Sequence, residues 1–418
     1  MTGLLFFMTK IITDEKKIDE ILERGVLVDF LPTKKELKEA LLAGKKLRFY
    51  MGADPTAKAL HLGHAQNLMV LEDFRKLGHE VIFLIGDFTG MIGDPSDKSS
   101  ARVKQTREEV VENFSNWKKQ VKNILDFNDA VNPVQIKYNS EWLSKLNYGE
   151  VLELASNFTV QQMLERDMFD KRMKEEKPIY LHEFLYPLMQ GYDSVAMDVD
   201  VELCGTDQIF NALAGRTLMQ KLKNKNKFVI ATKLIADEKT KMLMSKSNGT
   251  GVFLDLEAND LFGAIMSQPD GMLRPLFTGC TRVTPEEIED LMNLENPRDA
   301  KIRLAYEIVK IYHGGEAAKK AEEHFVKTIQ KKEIPNDVPE QIVKWVDAYN
   351  DYENVADFMV SSRLAKSKGD AKRKVEQGGV SIDGEKVIVG VLILNSETHN
   401  NKIMKVGKFN FVKIKFPE

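Results

Sequence analysis

The chain has 418 residues, 43% hydrophobic and 29% charged, with a formal net charge of −3. That length predicts two or three domains with ample core, and the near-neutral balance neither implies nor excludes a nucleic-acid partner. Two cysteines, Cys204 and Cys280, lack metal-ligand spacing, which argues against a disulfide framework or a zinc site, and no apolar run approaches the roughly 20 residues that span a bilayer.

The apolar run at residues 4–8 is too short for a signal-peptide core and has no basic flank, so the chain reads as cytoplasmic, with translation starting at Met1 or Met8. Residues 11–44 read as short helices with start signals at Asp14-Glu15 and Thr33-Lys34-Lys35-Glu36. Residues 46–51 read as a strand and Gly52-Ala53-Asp54-Pro55-Thr56 as a turn. A helix follows from about His61, with Leu68, Leu71, Phe74 and Leu77 on one face and Gly78 as its stop. Residues 81–85 form a buried-type strand, so strand, turn, helix and strand make one βαβ unit and predict a parallel sheet. A Gly/Ser/Asp-rich loop spans 90–102, a long amphipathic helix 107–127 and a strand 134–138, and residues 142–192 are mostly helical. Residues 198–203 alternate like a strand, run into Gly205-Thr206-Asp207 and then a helix to about Leu222, and 228–234 is another strand. The α/β body closes near residue 235. Residues 237–250 suit a mobile loop, and 255–330 are helical with cap signals such as Thr284-Pro285-Glu286-Glu287. Pro335 and Pro339 mark a linker. Residues 353–418 switch to a small α+β pattern with 12 Lys and Arg against 8 Asp and Glu, while the rest of the chain carries 48 against 55. A basic tail on an acidic body suggests polyanion binding.

Two short motifs carry the chemistry. His61-Leu62-Gly63-His64 lies at a helix start, where unpaired N–H groups and the helix dipole attract phosphate. His61 and His64, three residues apart, project on one side, and Gly63 lets a flat ring or a ribose approach the backbone. Thr56 adds a hydroxyl at the preceding turn. Far downstream, Met244-Ser245-Lys246-Ser247 places a lysine in a loop of Ser, Asn and Gly. Each motif alone is weak. Together they point to attack of a carboxylate on the α-phosphate of ATP, with imidazoles and ammonium supplying positive charge as pyrophosphate leaves. Lys246, on a flexible loop, would bind the triphosphate only as the transition state forms.

This combination resembles the class I aminoacyl-tRNA synthetases, whose signatures are HIGH and KMSKS. The stretch from Tyr50 to His64, the GDFTGMIGDPSDKSSAR run at 86–102, Gln190-Gly191-Tyr192-Asp193 and Gly205-Thr206-Asp207-Gln208 are similar to the bacterial-type tyrosyl-tRNA synthetases over nearly the whole chain. The resemblance implies an α/β fold. Residues 1–235 would be a Rossmann-like, doubly wound parallel sheet catalytic domain with a helical insertion at about 120–185. Residues 236–335 would hold the KMSKS loop and an α-helical tRNA-binding domain, 336–352 a linker and 353–418 an S4-like RNA-binding domain.

The resemblance also implies roles. Tyr50 and Asp193 would hydrogen-bond the substrate phenol, and Asp94, Tyr186 and Gln190 would hold its α-ammonium. Gln208 would lie near the carboxylate and Gly205 and Asp207 near the ribose, with Gly63 in the ATP site. Thr56, His61, His64, Lys98, Arg102 and Lys246 would bind the phosphates of ATP, with Mg²⁺ on the triphosphate. Lys366, Lys368, Lys372 and Arg373 would line a basic helix face against tRNA phosphates. A homodimer through helices around 120–185 is also implied. Tyr186, Gln190 and Asp193 do fall at i, i+4 and i+7, one helix face. Tyrosine's own carboxylate would be the nucleophile, and the terminal ribose hydroxyl of tRNA(Tyr) would then attack the mixed anhydride. Two features depart from the family pattern: Leu243 stands where the first lysine of the downstream signature belongs, with Lys241 two residues earlier, and Met51 and Asn67 occupy ribose-facing positions. The rival readings are a tryptophanyl-tRNA synthetase, a small-molecule adenylyltransferase, and a non-catalytic RNA-binding or splicing helper on the same fold.

Overall fold

Short β-branched and aromatic runs bounded by polar turns become strands here, and apolar residues at helical spacing become the layers that cover them. The structure, a computed structural model, describes residues 10–93, 106–244, 249–327, 338–346, 351–387, 393–407 and 410–417. The chain divides into two compact units, residues 1–318 and 319–418.

The chain opens with α1 (Glu15–Leu22), β1 (Leu27–Leu31), α2 (Lys34–Leu42), β2 (Arg48–Ala53), α3 (Leu62–Lys76) and β3 (Glu80–Ile85). Then come α4 (Arg107–Val121), β4 (Gln135–Tyr138) and four short helices, α5 to α8 (Ser140–Leu143, Tyr148–Ala155, Val160–Leu164 and Asp167–Lys174). After them follow α9 (Leu181–Met197), β5 (Val201–Gly205), α10 (Ile209–Lys223) and β6 (Phe228–Thr232). The run closes with α11 (Ala258–Met266), α12 (Leu273–Cys280), α13 (Pro285–Met292), α14 (Pro297–His313) and α15 (Gly315–Phe325). The start signals at Asp14, Thr33 and Thr284 are all used as side-chain N-caps.

The expected parallel sheet is present. Its six strands run in the order β1-β6-β5-β2-β3-β4, parallel throughout except that edge strand β1 is antiparallel to β6. The chain builds outward from β2 through β3 to β4, then returns beside β2 with β5 and β6. The order therefore reverses at the β2–β5 pair, and ligands of such sheets bind in the crevice beyond the carboxyl ends there. Tyr50 on β2 pairs with Ile82 on one side and Glu202 on the other.

Residues 11–44, expected as short helices, also contain edge strand β1, because Leu27–Leu31 pairs with β6; two element ends differ as well. Helix α4 stops at Val121 rather than near 127, because Asp126 and Asp129 accept from the backbone N–H of Asn128, Val131 and Asn132 and turn the chain. Strand β5 begins at Val201 rather than 198, because α9 runs to Met197 and Asp198 caps it in the left-handed region at φ 51°.

Helices α9 and α10 approach closely at two glycines. A Cβ on Gly191 would meet Leu218 Cδ1 at 3.0 Å and the backbone of Ala214 and Gly215 at 3.1 Å. A Cβ on Gly215 would lie 2.5 Å from Lys227 Nζ and 2.8 Å from Ser194 Oγ.

The second unit contains β7 (Glu340–Ile342), β8 (Trp345–Val346), β9 (Asp351–Tyr352), α16 (Val355–Ser361) and α17 (Lys368–Glu376). It ends with β10 (Val380–Ile382), β11 (Glu385–Lys386), α18 (Ser396–His399), β12 (Ile403–Val406) and β13 (Asn410–Lys415). Five strands form a sheet in the order β11-β10-β12-β13-β7, with β7 parallel to β13. Its core includes Phe358, Met359, Ala371, Leu394, Met404 and Ile414. Within 336–352, expected as a linker, β7 is part of this sheet and β8 pairs with β9.

Because the α9–α10 contact is backbone against backbone, Gly191→Ala should destabilise the chain by about 1–3 kcal/mol through overpacking. Gly263→Ala, in α11 with nothing within 4 Å of the new methyl, should be neutral or gain up to about 1 kcal/mol. Urea midpoints of both variants against the parent check the pair, and equal shifts would contradict the packing account.

Candidate active site

The carboxyl ends of β2, β3 and β5 converge with the start of α3 and the middle of α9. Asp54 follows β2, and its carboxylate accepts from Tyr186 Oη on α9 at 2.8 Å and from Thr89 Oγ1 at 2.7 Å. Gly86, just after β3, makes room for it, since a Cβ there would lie 1.9 Å from Asp54 Oδ1. One turn further along α9, Gln190 Nε2 donates to Glu202 Oε1 at 3.0 Å.

Asp193 lies at the bottom of this face, 2% exposed. Trp142 Nε1 donates to its Oδ1 at 2.7 Å and Asn139 Nδ2 to its Oδ2 at 3.3 Å. Burial pushes its carboxyl well above the ordinary value, against the pull of those two N–H donors. A ligand hydroxyl donating to this carboxylate would supply a third hydrogen bond. Tyr50, equally buried, has its hydroxyl 2.9 Å from Ser194 Oγ. Burial, then the nearby Glu202, pushes the Tyr50 phenol well above its ordinary value, so it keeps its proton.

His61 is the N-cap of α3. Its Nδ1 accepts from Gly63 N at 3.1 Å, while His61 N donates to His64 Nδ1 at 3.3 Å. The two rings lie 4.0 Å apart. A Cβ on Gly63 would meet His61 Cε1 at 2.8 Å, so the space this glycine leaves is filled by the His61 ring rather than left for a ligand. Burial lowers His61 from 6.5 to about 4, and burial together with His61 lowers His64 from 6.5 to about 3. Both imidazoles are therefore neutral at pH 7. The sequence expectation of positive charge here is corrected: with each Nδ1 accepting, the rings carry their hydrogens on Nε2 and offer neutral N–H donors.

The segment after Lys246 returns to this helix start. His61 forms a backbone bridge with Phe253, Leu62 N donates to Val252 O at 3.0 Å, and Leu254 N donates to Leu60 O at 2.9 Å. On the outgoing side Leu243 bridges Ala236, and Met244 N donates to Ile235 O at 2.8 Å. Lys241 lies in the tight turn between, at φ 59°, and the Asp237 side chain holds that turn by accepting from Lys239 N and Thr240 N. Thr56 is half-buried after β2, and Gly205, Asp207 and Gln208 lie at the end of β5, where Gln208 accepts from Asn211 Nδ2 at 2.9 Å. Asn67 is buried, and its amide oxygen accepts from Thr232 Oγ1. Asp94, Lys98, Arg102 and Lys246 lie outside the described residues.

In the second unit Lys366, Lys368, Lys372 and Arg373 are exposed at and before α17. Lys368 pairs with Asp357 at 2.6 Å and Arg373 with Asp370 at 3.6 Å.

Residues 42–330 match the family of class I tRNA synthetases (W and Y). The chain is 41% identical to a tyrosine–tRNA ligase of Thermotoga maritima over 96% of this chain and 98% of that one. It is 42% identical to the tyrosine–tRNA ligase of Carboxydothermus hydrogenoformans, over 95% and 97%. The chain belongs to the tyrosine–tRNA ligase family. Among solved structures, the tyrosyl-tRNA synthetase of Archaeoglobus fulgidus in complex with L-tyrosine matches with TM-score 0.56 and 22% identity, over 73% of this chain and 99% of that one. A truncated mitochondrial tyrosyl-tRNA synthetase of Coccidioides posadasii matches with TM-score 0.59 and 24% identity, over 73% and 91%. At these identities the likeness is one of fold.

The sequence motifs assign no role to Asp54, Thr89, Asn139, Trp142, Ser194, Glu202 or Lys227. Asp54 had a local signal, an acidic residue at the carboxyl end of a sheet strand. The others meet only through long-range folding; Asn139 and Trp142 are 54 and 51 positions from Asp193.

The neutral histidines predict a pH dependence. The folded chain refuses protons that the unfolded chain takes up below 6.5, so stability is complete above that pH and declines as pH falls toward 4. Thermal midpoints between about pH 7.5 and about pH 5 should fall more steeply for the parent than for His61→Asn or His64→Asn. Parallel profiles would contradict the shifts.

Proposed function

We propose that the chain activates L-tyrosine with ATP, forming tyrosyl-adenylate and pyrophosphate, and transfers the tyrosyl group to the 3′ end of tRNA(Tyr). The observation that carries this reading is the backbone bridge from His61 to Phe253, which joins the HLGH turn to the segment emerging from the Lys246 loop. Tyrosine's carboxylate attacks the α-phosphate, so this step needs no general base, and catalysis is positioning plus charge stabilisation. The phenol meets Tyr50 and Asp193, and Asp94, Tyr186 and Gln190 surround the α-ammonium, with Gln208 by the carboxylate. His61 and His64 give neutral N–H donors to the phosphates beside Thr56. The cationic contribution then falls to Lys98, Arg102 and Lys246. Gly205 and Asp207 complete the nucleotide site.

Among the described residues no cluster of three or more His, Cys, Asp or Glu is placed to hold a metal ion. We assign Mg²⁺ to the triphosphate it arrives with, as part of the substrate. Residues 236–335 and the C-terminal unit serve the tRNA, with the basic residues at α17 against its phosphates in an S4-like module. A homodimer is supported by exposed apolar side chains clustered in 148–181: Tyr148 and Leu181 are 78% and 79% exposed, with Leu152, Val160, Met173 and Tyr180 between them. A cavity of about 440 Å³ lined by Leu146, Leu154, His182, Leu185 and Leu188 opens in the same helices. Among the described residues no helix is long and apolar enough to cross a membrane, and we place the enzyme in the cytoplasm.

Pyrophosphate exchange into ATP should depend on tyrosine, with phenylalanine and tryptophan far weaker; tryptophan-driven exchange would overturn the assignment in favour of the rival synthetase. Asp193→Ala should collapse the preference for tyrosine over phenylalanine, the missing hydroxyl otherwise leaving a buried polar pair unsatisfied. Lys246→Ala should lower the rate of adenylate formation by about 10²-fold or more while changing tyrosine affinity little. Equal losses in both quantities would remove the transition-state role.

A further inference from the structure

Beneath Tyr50 lies a charged group that the reaction does not touch. Lys227, at the edge of β6, is 0% exposed, and its ammonium is ion-paired with Glu202, which is 2% exposed. Replacing such a buried pair by apolar residues is often neutral or stabilising, so stability alone is a weak reason for its presence. Its hydrogen bonds suggest another. Lys227 Nζ also donates to Ser194 Oγ at 2.9 Å. An ammonium has no acceptor, so Ser194 must accept here and give its own hydrogen elsewhere. Two partners are in reach, Tyr50 Oη at 2.9 Å and Glu202 Oε2 at 3.5 Å. Distance decides between them: the contact to Glu202, whose Oε2 also takes the ammonium and whose Oε1 takes Gln190 Nε2 at 3.0 Å, is the longer by far. The short bond therefore runs from Ser194 to Tyr50, and the Tyr50 phenolic hydrogen goes to another acceptor, of which Glu202 is the weak one that the protein itself supplies. Reversing it would leave the serine hydrogen only a contact at the limit of hydrogen bonding.

We propose that Lys227 and Ser194 fix the Tyr50 hydroxyl as a hydrogen-bond donor to the phenol oxygen of bound tyrosine, which makes both of them specificity-determining positioning residues. The substrate phenol then gives its hydrogen to Asp193 and accepts from Tyr50. Both bonds vanish for phenylalanine. The close approach at Gly215, whose missing Cβ leaves room for Lys227 Nζ and Ser194 Oγ, is what lets the ammonium reach this point.

This inference rests on the tyrosine-activation reading, and the experiment separates the two. Tyrosine- and phenylalanine-dependent pyrophosphate exchange is measured for the parent chain, Ser194→Ala, Tyr50→Phe and the double variant. Ser194→Ala should raise KM for tyrosine about tenfold, with kcat, KM for ATP and kcat/KM for phenylalanine changed less than about twofold. On the Tyr50→Phe background the same change should add less than about twofold, because it acts through the hydroxyl already removed. Lys227→Met combined with Glu202→Gln, which avoids an unpaired buried charge, should reproduce the rise in KM for tyrosine. A full tenfold loss on the Tyr50→Phe background, or an equal loss with phenylalanine, would overturn the positioning role. A parent chain with no tyrosine-dependent exchange would instead overturn the activity reading beneath it.

Discussion

The site depends on the parallel pairing of β2 with β5 at the point where the sheet order reverses. That pairing sets Tyr50 opposite Glu202 and sends both strand ends into one crevice. A slip of one residue would turn Tyr50 to the opposite face of the sheet and away from Ser194. Other polar groups at the site come from outside the pair: α9 supplies Tyr186, Gln190 and Asp193, the start of α3 supplies the histidines, and the glycine contact between α9 and α10 fixes how near α9 lies.

Two kinds of electrostatics meet in this crevice. At the phosphate end, burial strips charge from both histidines and leaves directional N–H donors at a helix start. Fixed neutral donors cost less to bury than imidazolium ions would, and in the proposed mechanism the cations of Lys98, Arg102 and Lys246 supply charge as it develops. At the proposed phenol end the Asp193 carboxyl lies deep inside, where burial pushes it above its ordinary value against the pull of two N–H donors, from Trp142 and Asn139. Burying it is costly, and a ligand hydroxyl that adds a hydrogen bond recovers part of that cost. In the proposed mechanism, selectivity for a hydroxylated ring follows from the same arrangement.

Much of this was legible in the sequence. The βαβ start, the cap signals and the i, i+4, i+7 face of α9 depend on local spacing, and local spacing survives folding. The HLGH and lysine-loop segments were linked by resemblance, and the bridge from His61 to Phe253 gives that link a physical form. What could not be read was which partners long-range packing would choose. Nothing near Asp193 in sequence announces Trp142 or Asn139, and nothing near Tyr50 announces Lys227. The charge state of the histidines was misjudged because imidazole ionisation follows burial, which spacing does not reveal. Gly63 was assigned to ligand approach, whereas its neighbour's ring uses the space.

The central claim, that tyrosine's ring end lies at Tyr50 and Asp193 while the α-phosphate lies at the start of α3, is tested most directly by a crystal structure with a non-hydrolysable tyrosyl-adenylate analogue. The account predicts the phenol oxygen within hydrogen-bond distance of both Tyr50 Oη and Asp193, and the phosphate nearest the Nε2 atoms of His61 and His64. An analogue bound with its ring away from Asp193, or with its phosphate remote from α3, would contradict it.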